Sequence, residues 1–206
     1  MQNQFATIKE DSLATGYTPT PWSNRSFTCN YTALPARKEL CNQETLLAAA
    51  IQAINKVENN NPYVVYTDGT VDPETQTAGA AVFSINFSAC WRTSNNAFTM
   101  QTELIAILEA LKYTVSNENR PVVIHFDSKA AMQALQQSKI KENKNLITKI
   151  HVLLEQHKNQ NRSVTLNWIP SHIGIPANEK ADDFAKQTKH MDQVQIAIQY
   201  SRRCNK

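Results

Sequence analysis

The sequence predicts an α/β fold, a five-stranded mixed sheet with helices on its faces, from three observations. Two apolar runs, Tyr63-Val64-Val65-Tyr66 and Val122-Val123-Ile124-His125-Phe126, have the length of buried strands, and the helical segment between them predicts a parallel pair. Strand-like stretches over 78–84 and 87–92 predict a hairpin, so that three antiparallel strands precede the first long helix. The remaining order of strand, helix, helix, strand and helix adds parallel strands joined by helical crossovers.

The elements can be justified in turn. Residues 1–42 read as an irregular N-terminal extension, polar and punctuated by Thr18-Pro19-Thr20-Pro21-Trp22 and Pro35. Within a linker over 43–61, the stripe Leu47, Ala50, Ile51, Ile54 and Val57 predicts a helix over 43–57, ended by Asn59-Asn60-Asn61-Pro62. The main domain spans 62–190, opening with a strand over 63–69 and the hairpin. A long helix follows, striped by Met100, Leu104, Ile107, Leu108 and Leu111. Next come a strand over 122–127, a short helix over 129–136, and a helix over 145–157 striped by Leu146, Ile150, Leu153 and Leu154. A last strand over 164–169 leads into a helix over 178–189, introduced by Pro176. The tail, 191–206, alternates Val194, Ile196, Ile198 and Tyr200 as an edge strand does.

Composition bounds the function. The 206 residues allow one ordinary domain with an extension, and a formal charge of +3 is too mild to announce nucleic-acid binding by itself. Any phosphate contact must come from local groups or from metal. Cys29, Cys41, Cys90 and Cys204 lack the spacing of a structural zinc site and read as free thiols. Neither a signal pattern nor a membrane-length apolar stretch is evident, so the expectation is an intracellular, monomeric protein without membrane association.

Four acids carry the chemistry. Asp68 and Asp127 end the two apolar runs, and ligands of parallel sheets collect at the carboxyl ends of strands. Two carboxylates held close there raise each other's pKa unless a cation or a shared proton compensates. Glu103 falls on the apolar stripe of its helix, where a carboxylate is costly unless paired or metal-bound. Asp182 lies in the first turns of the last helix, after Ser171-His172-Ile173-Gly174-Ile175-Pro176. One strand-end Asp is often a turn or cap residue. Four acids in this order, each at an element end, point to a divalent-metal site.

The strings Tyr66-Thr67-Asp68-Gly69-Thr70, Thr102-Glu103-Leu104, Phe126-Asp127-Ser128, Trp168-Ile169-Pro170-Ser171-His172-Ile173-Gly174 and Asn178-Glu179-Lys180-Ala181-Asp182 together resemble the type 1 ribonuclease H domain over about 62–190. In finer detail the chain is similar to the ribonuclease H domains of non-LTR retrotransposon reverse-transcriptase polyproteins, in which a Pro-Trp segment and a helix precede the first strand; Pro21-Trp22 and the 43–57 helix match. The resemblance implies the ribonuclease-H-like fold and an endonuclease cutting the RNA strand of RNA/DNA hybrids with two magnesium ions, for which manganese can substitute. It implies that Asp68 bridges both ions, Glu103 and Asp127 hold one, and Asp182 helps hold the other. His172 is then expected to assist proton transfer or product release. A reverse-transcriptase domain in a longer polyprotein is the partner it suggests.

By the same similarity, Gly69, Thr99, Gln101, Ser128 and Asn178 are candidate substrate contacts, each with an equal claim to be a cap or turn residue. Lys139, Lys141, Lys144 and Lys149 are too few for the basic protrusion some members carry and read better as a solvated face, so the isolated domain is expected to bind hybrids weakly and salt-sensitively. The competing reading is a catalytically silent nucleic-acid-binding or scaffold module. A DEDD-type exonuclease would show Asp-x-Glu where this chain has Asp68-Gly69-Thr70, and a transposase core would end its metal set with Glu where this chain has Asp182.

Overall fold

The computed structural model describes residues 26–137 and 142–198. Pro21-Trp22, Lys139, Lys141, Cys204 and Tyr200 lie outside them. The elements run β1 (Thr28–Tyr31), α1 (Gln43–Val57), β2 (Tyr63–Val71), β3 (Ala78–Phe83), β4 (Ser88–Thr93), α2 (Thr99–Asn117), β5 (Val122–Phe126), α3 (Lys129–Gln136), α4 (Lys144–Asn159), β6 (Val164–Trp168) and α5 (Pro176–Gln187). They build one mixed sheet in the order β1-β6-β5-β2-β3-β4. The β2-β3-β4 strands are antiparallel, while β5 and β6 run parallel to β2, as the apolar runs predict.

The sheet has six strands, not five. The extra one is β1, inside the stretch expected to be irregular, and it pairs in parallel with β6 from Thr28↔Thr165 to Tyr31↔Trp168. Its four residues carry too little pattern to announce a strand. The otherwise open edge of β6 supplies the partner.

Period-two alternation divides the sheet into two packed faces. Tyr63 and Val65 of β2, with Val122, Ile124 and Phe126 of β5, join Leu104, Ile107 and Leu111 of α2 and Ile150 and Leu154 of α4 in the main core. On the opposite face Val64, Tyr66 and Phe83 meet Leu46 and Ala50 of α1 and Ala181 of α5. Helix α1 therefore docks on the sheet, through Leu46, Ala50 and Ala53. Leu47, Ala50 and Ile54 of the predicted stripe pack there as well, whereas Ile51 is exposed. The small side chains of Ala50 and Ala53 allow close approach.

A polar row crosses this second face. Register places His125 beside Asn167 and Asn167 beside Asn30. The Asn30 amide donates to Asn167 Oδ1 at 2.7 Å, Asn167 Nδ2 lies 2.8 Å from His125 Nδ1, and His125 Nε2 lies 3.0 Å from Glu58 Oε1 at the end of α1. Burial lowers the His125 pKa, and Glu58 works in the opposite direction. A histidine inside an apolar strand is accommodated because both ring nitrogens have partners.

The tail after α5 passes a 3-10 turn (Thr188–His190) and runs beside β4. Its strand character reduces to one parallel bridge, Thr93↔Ile196, with Gln195 and Ile196 donating to the Arg92 carbonyl. Ile198 buries against Ala97, Ile105 and Ala106.

The C-terminus of α2 is closed from a distance. Buried Arg162 donates from Nη1 to the Thr114 carbonyl at 2.8 Å and to the Glu118 carbonyl, and from Nη2 to the Val115 carbonyl at 2.9 Å. The Thr114 carbonyl already accepts from Glu118 N, so Arg162 adds a second donor there and serves the Val115 and Glu118 carbonyls as well, and a cation is favourable at that end. Arg162→Ala is expected to destabilise the fold by about 2–4 kcal/mol in urea denaturation, and Arg162→Lys to recover less than half, because one ammonium cannot span three carbonyls.

Candidate active site

Three acids meet just past the last parallel pair of β2 and β5, with Asp68 inside β2, which continues to Val71, and Asp127 directly after β5. One carboxylate oxygen each from Asp68, Glu103 and Asp127 lies within 4.8 Å of the other two. The parallel register Tyr66↔His125 carries Asp68 and Asp127 to the same level and the same face of neighbouring strands. Glu103 arrives from above, on the second turn of α2, and Gly69 makes this possible. A Cβ at Gly69 would lie 2.3 Å from Glu103 N and 2.5 Å from the Thr102 carbonyl carbon, so only glycine lets α2 rest on β2 at this point. The Gly69 N–H in turn donates to the Glu103 carboxylate.

Burial and mutual repulsion dominate the electrostatics. Desolvation first, then the charges of Asp127 and Asp182, push Asp68 up to about 7. Glu103, 3% exposed, is raised well above the ordinary carboxylate value by burial and by Asp68 and Asp127. Burial raises Asp127 as well, offset by His172 and Lys38 and by a hydrogen bond from Asn178. Glu103 Oε2 is buried with no hydrogen-bond partner among the described residues. An orphaned carboxylate oxygen facing two further acids is the donor set a divalent cation takes, and hard oxygen ligands in this number suit magnesium or manganese.

Asp182 stands on the far side of the cluster. It shares a second group with His172 and Glu179, again with ligand atoms within 4.8 Å, while its charge acts on Asp68, Glu103 and Asp127. Lys186 Nζ holds its carboxylate at 2.5 Å. His172 sits on the loop between β6 and α5 at φ 54°, its side chain 67% exposed. Glu179 anchors that loop: Oε1 accepts from Gly174 N at 3.3 Å and Oε2 lies 4.0 Å from His172 Nδ1.

The RNase H family model matches residues 59–190, which contain all four acids and His172. The chain belongs to the RNase H family. It is accordingly a hydrolase of the nuclease class. Among curated proteins it is similar to Ribonuclease H of Tropheryma whipplei strain Twist, 27% identical over 145 residues, covering 62% of this chain and 84% of that protein, and equally to Ribonuclease H of strain TW08/27. As an RNase H it carries two segments outside the family match, 26–58 and 191–198, that the fold nevertheless packs against the domain.

The residues expected to contact substrate have these surroundings. Gln101 caps α2: Oε1 accepts from Phe98 N at 3.0 Å and Nε2 donates to Asn143 Oδ1 at 2.9 Å. Ser128 is the N-cap of α3, accepting from Ala131 N. Asn178 is buried and donates to Asp127, so it orients a site carboxylate. Gly69 serves the approach of α2. Thr99 is exposed in the first turn of α2, where its carbonyl accepts from Thr102 Oγ1. Sequence reasoning missed Glu179, Lys186 and Lys38. The i,i+4 spacing of Asp182 and Lys186 on a helix was a usable signal. Nothing in the sequence brings Lys38 to this site.

The raised carboxylates have a consequence for stability. With metal chelated, folded Asp68 keeps a proton that the unfolded chain has already lost, so its contribution is complete below about pH 4 and disappears as pH rises through about 7. In EDTA at pH 8, Asp68→Asn should therefore be more stable than wild type, by on the order of 2–4 kcal/mol. The difference should shrink as pH falls toward 4; thermal melts from pH 4 to 9 that superimpose would contradict this electrostatic picture.

Proposed function

We propose that this RNase H is a metal-dependent endonuclease that hydrolyses the RNA strand of RNA/DNA hybrids. The observation that carries the reading is the convergence of Asp68, Glu103 and Asp127 within one ligand sphere at the carboxyl ends of parallel strands, with Glu103 Oε2 unpartnered. Asp68, Glu103 and Asp127 would hold one divalent ion, and Asp68 with Asp182 a second. Magnesium bound there, with manganese as substitute, supplies the charge that activates water and stabilises a departing 3′ oxygen.

The chain's own residues do the positioning. The Gly69 N–H fixes the Glu103 carboxylate and the Asn178 amide fixes Asp127, so neither acid must reorganise during the reaction. Lys186 holds Asp182 in place. His172, engaged with Glu179 through Nδ1, leaves Nε2 for the substrate side, where an exposed imidazole on a loop can deliver a proton to the leaving oxygen or assist product departure. Hybrid recognition rests on 2′-hydroxyls read from the minor groove, with phosphates setting the register.

The proposal extends to an intracellular enzyme, because that is where such hybrids arise, working as a monomer. It also includes descent from a non-LTR retrotransposon polyprotein with a reverse-transcriptase domain as its natural partner. Support for this comes from α1, a helix docked on the sheet immediately ahead of β2. Polymerase motifs encoded directly upstream would bear on that origin.

The test is cleavage of an end-labelled RNA strand in an RNA/DNA hybrid with magnesium, against single-stranded RNA and duplex DNA. Internal, hybrid-specific cuts are expected, with turnover falling at least 100-fold or so in Asp127→Asn and binding weakening steeply with salt. Hybrid binding without cutting by the folded wild type would favour the silent module, and stepwise loss from an end would indicate an exonuclease.

A further inference from the structure

Strand β1 pairs in parallel with β6, so the two chains leave the sheet at the same end and in the same direction. The chain after β6 becomes the loop that carries His172. The chain after β1 follows it: Thr32 donates to the Trp168 carbonyl from both N and Oγ1, and Leu34 packs against the cluster containing Ile169 and Ile173. This course ends in a 3-10 turn (Lys38–Leu40) lying on the loop. There Lys38 Nζ donates to Ser171 Oγ at 2.5 Å and to the Ser171 carbonyl at 3.2 Å.

We propose that Lys38, supplied by the segment ahead of the family-matched domain, is a positioning residue of the active site: it clamps Ser171 and thereby fixes the turn that presents His172. The inference rests on the endonuclease reading above. Two bonds to one residue, one to its side chain and one to its backbone, define the orientation of the peptide that enters His172. His172 adopts φ 54°, a left-handed conformation uncommon outside glycine, and its largely exposed side chain makes few contacts of its own to hold it there. The clamp on Ser171 and the Glu179 contacts to His172 and Gly174 grip the turn from both sides. The Lys38 ammonium also lies near enough to Asp127 to favour that carboxylate's charged form, which places it at the rim of the site. A mere surface lysine would leave Ser171 to water.

The experiment compares wild type, Lys38→Met, Lys38→Arg and Lys38→Met/His172→Ala in hybrid cleavage with magnesium, and follows amide hydrogen exchange at His172 in the first three. Lys38→Met should lower kcat about 5- to 20-fold, less than the roughly 100-fold cost of losing a proton-transfer group, with KM within about twofold. Lys38→Arg should restore most of the loss. Lys38→Met should add nothing in the His172→Ala background and should speed exchange at His172 while leaving the melting temperature unchanged. An unchanged kcat, a loss that persists on top of His172→Ala, or a raised KM with a shallower salt dependence would overturn the positioning role, the last pointing to a direct phosphate contact. A wild type that does not cut hybrids would sink the endonuclease reading instead, and the exchange measurement would still decide whether Lys38 holds the turn.

Discussion

At Gly69, helix α2 crosses β2 so closely that any side chain on the strand would strike the helix backbone. That contact sets the height at which Glu103 descends beside Asp68, and the parallel pairing of β2 with β5 then fixes Asp127 at the same level. Once the three carboxylates are brought together in a buried corner, their repulsion follows without further assumption. Fold stability and catalytic competence pull against each other here. The same approach that costs folding energy in the absence of metal creates a pre-formed set of oxygen ligands. Gly69 and Asn178 work against the repulsion by favouring the charged forms of Glu103 and Asp127.

The segments outside the family-matched domain enter through packing. Strand β1 closes the free edge of β6, α1 covers the face that carries the polar row from Asn30 to Glu58, and the tail lies along the opposite edge at β4. On the β6 side the edge that remains is the four-residue β1, and a short edge strand limits edge-to-edge association. The polar row also fixes register: shifting β5 by one residue would carry His125 into the apolar face and leave Asn167 Nδ2 without its partner. Upstream sequence is in this way tied to the geometry of the loop that presents His172.

Much of the architecture was legible because it rests on strong local patterns. The runs 63–66 and 122–126 could only be strands at that length, and the acids that end them announced their own position. Glu103 was legible because a carboxylate on an apolar stripe is anomalous. What escaped was non-local. Strand β1 exists because β6 has an edge to offer, not because Thr28-Cys29-Asn30-Tyr31 demands it. On α1 the predicted stripe holds at Leu47, Ala50 and Ile54 and fails at Ile51, because the docking face is centred on Leu46, Ala50 and Ala53. Gln101 and Ser128 hold helix caps and Asn178 faces Asp127, interactions that adjacency to the acids in sequence did not announce. Lys38 lies far from the motifs along the chain, and only the parallel exit of β1 and β6 brings it to Ser171.

The central claim is that Asp68, Glu103 and Asp127 form one cation site in which burial and mutual repulsion raise the carboxyl pKa values, that of Asp68 to about 7. Calorimetric titration of magnesium at pH 7 in buffers of different ionisation enthalpy tests it directly, because a cation entering such a site must expel protons. The account predicts release of on the order of one proton per ion at pH 7, declining as pH is raised, with binding strongly weakened in Glu103→Gln. Binding that releases no protons at pH 7, or that is indifferent to Glu103→Gln, would place the ion elsewhere and contradict the account.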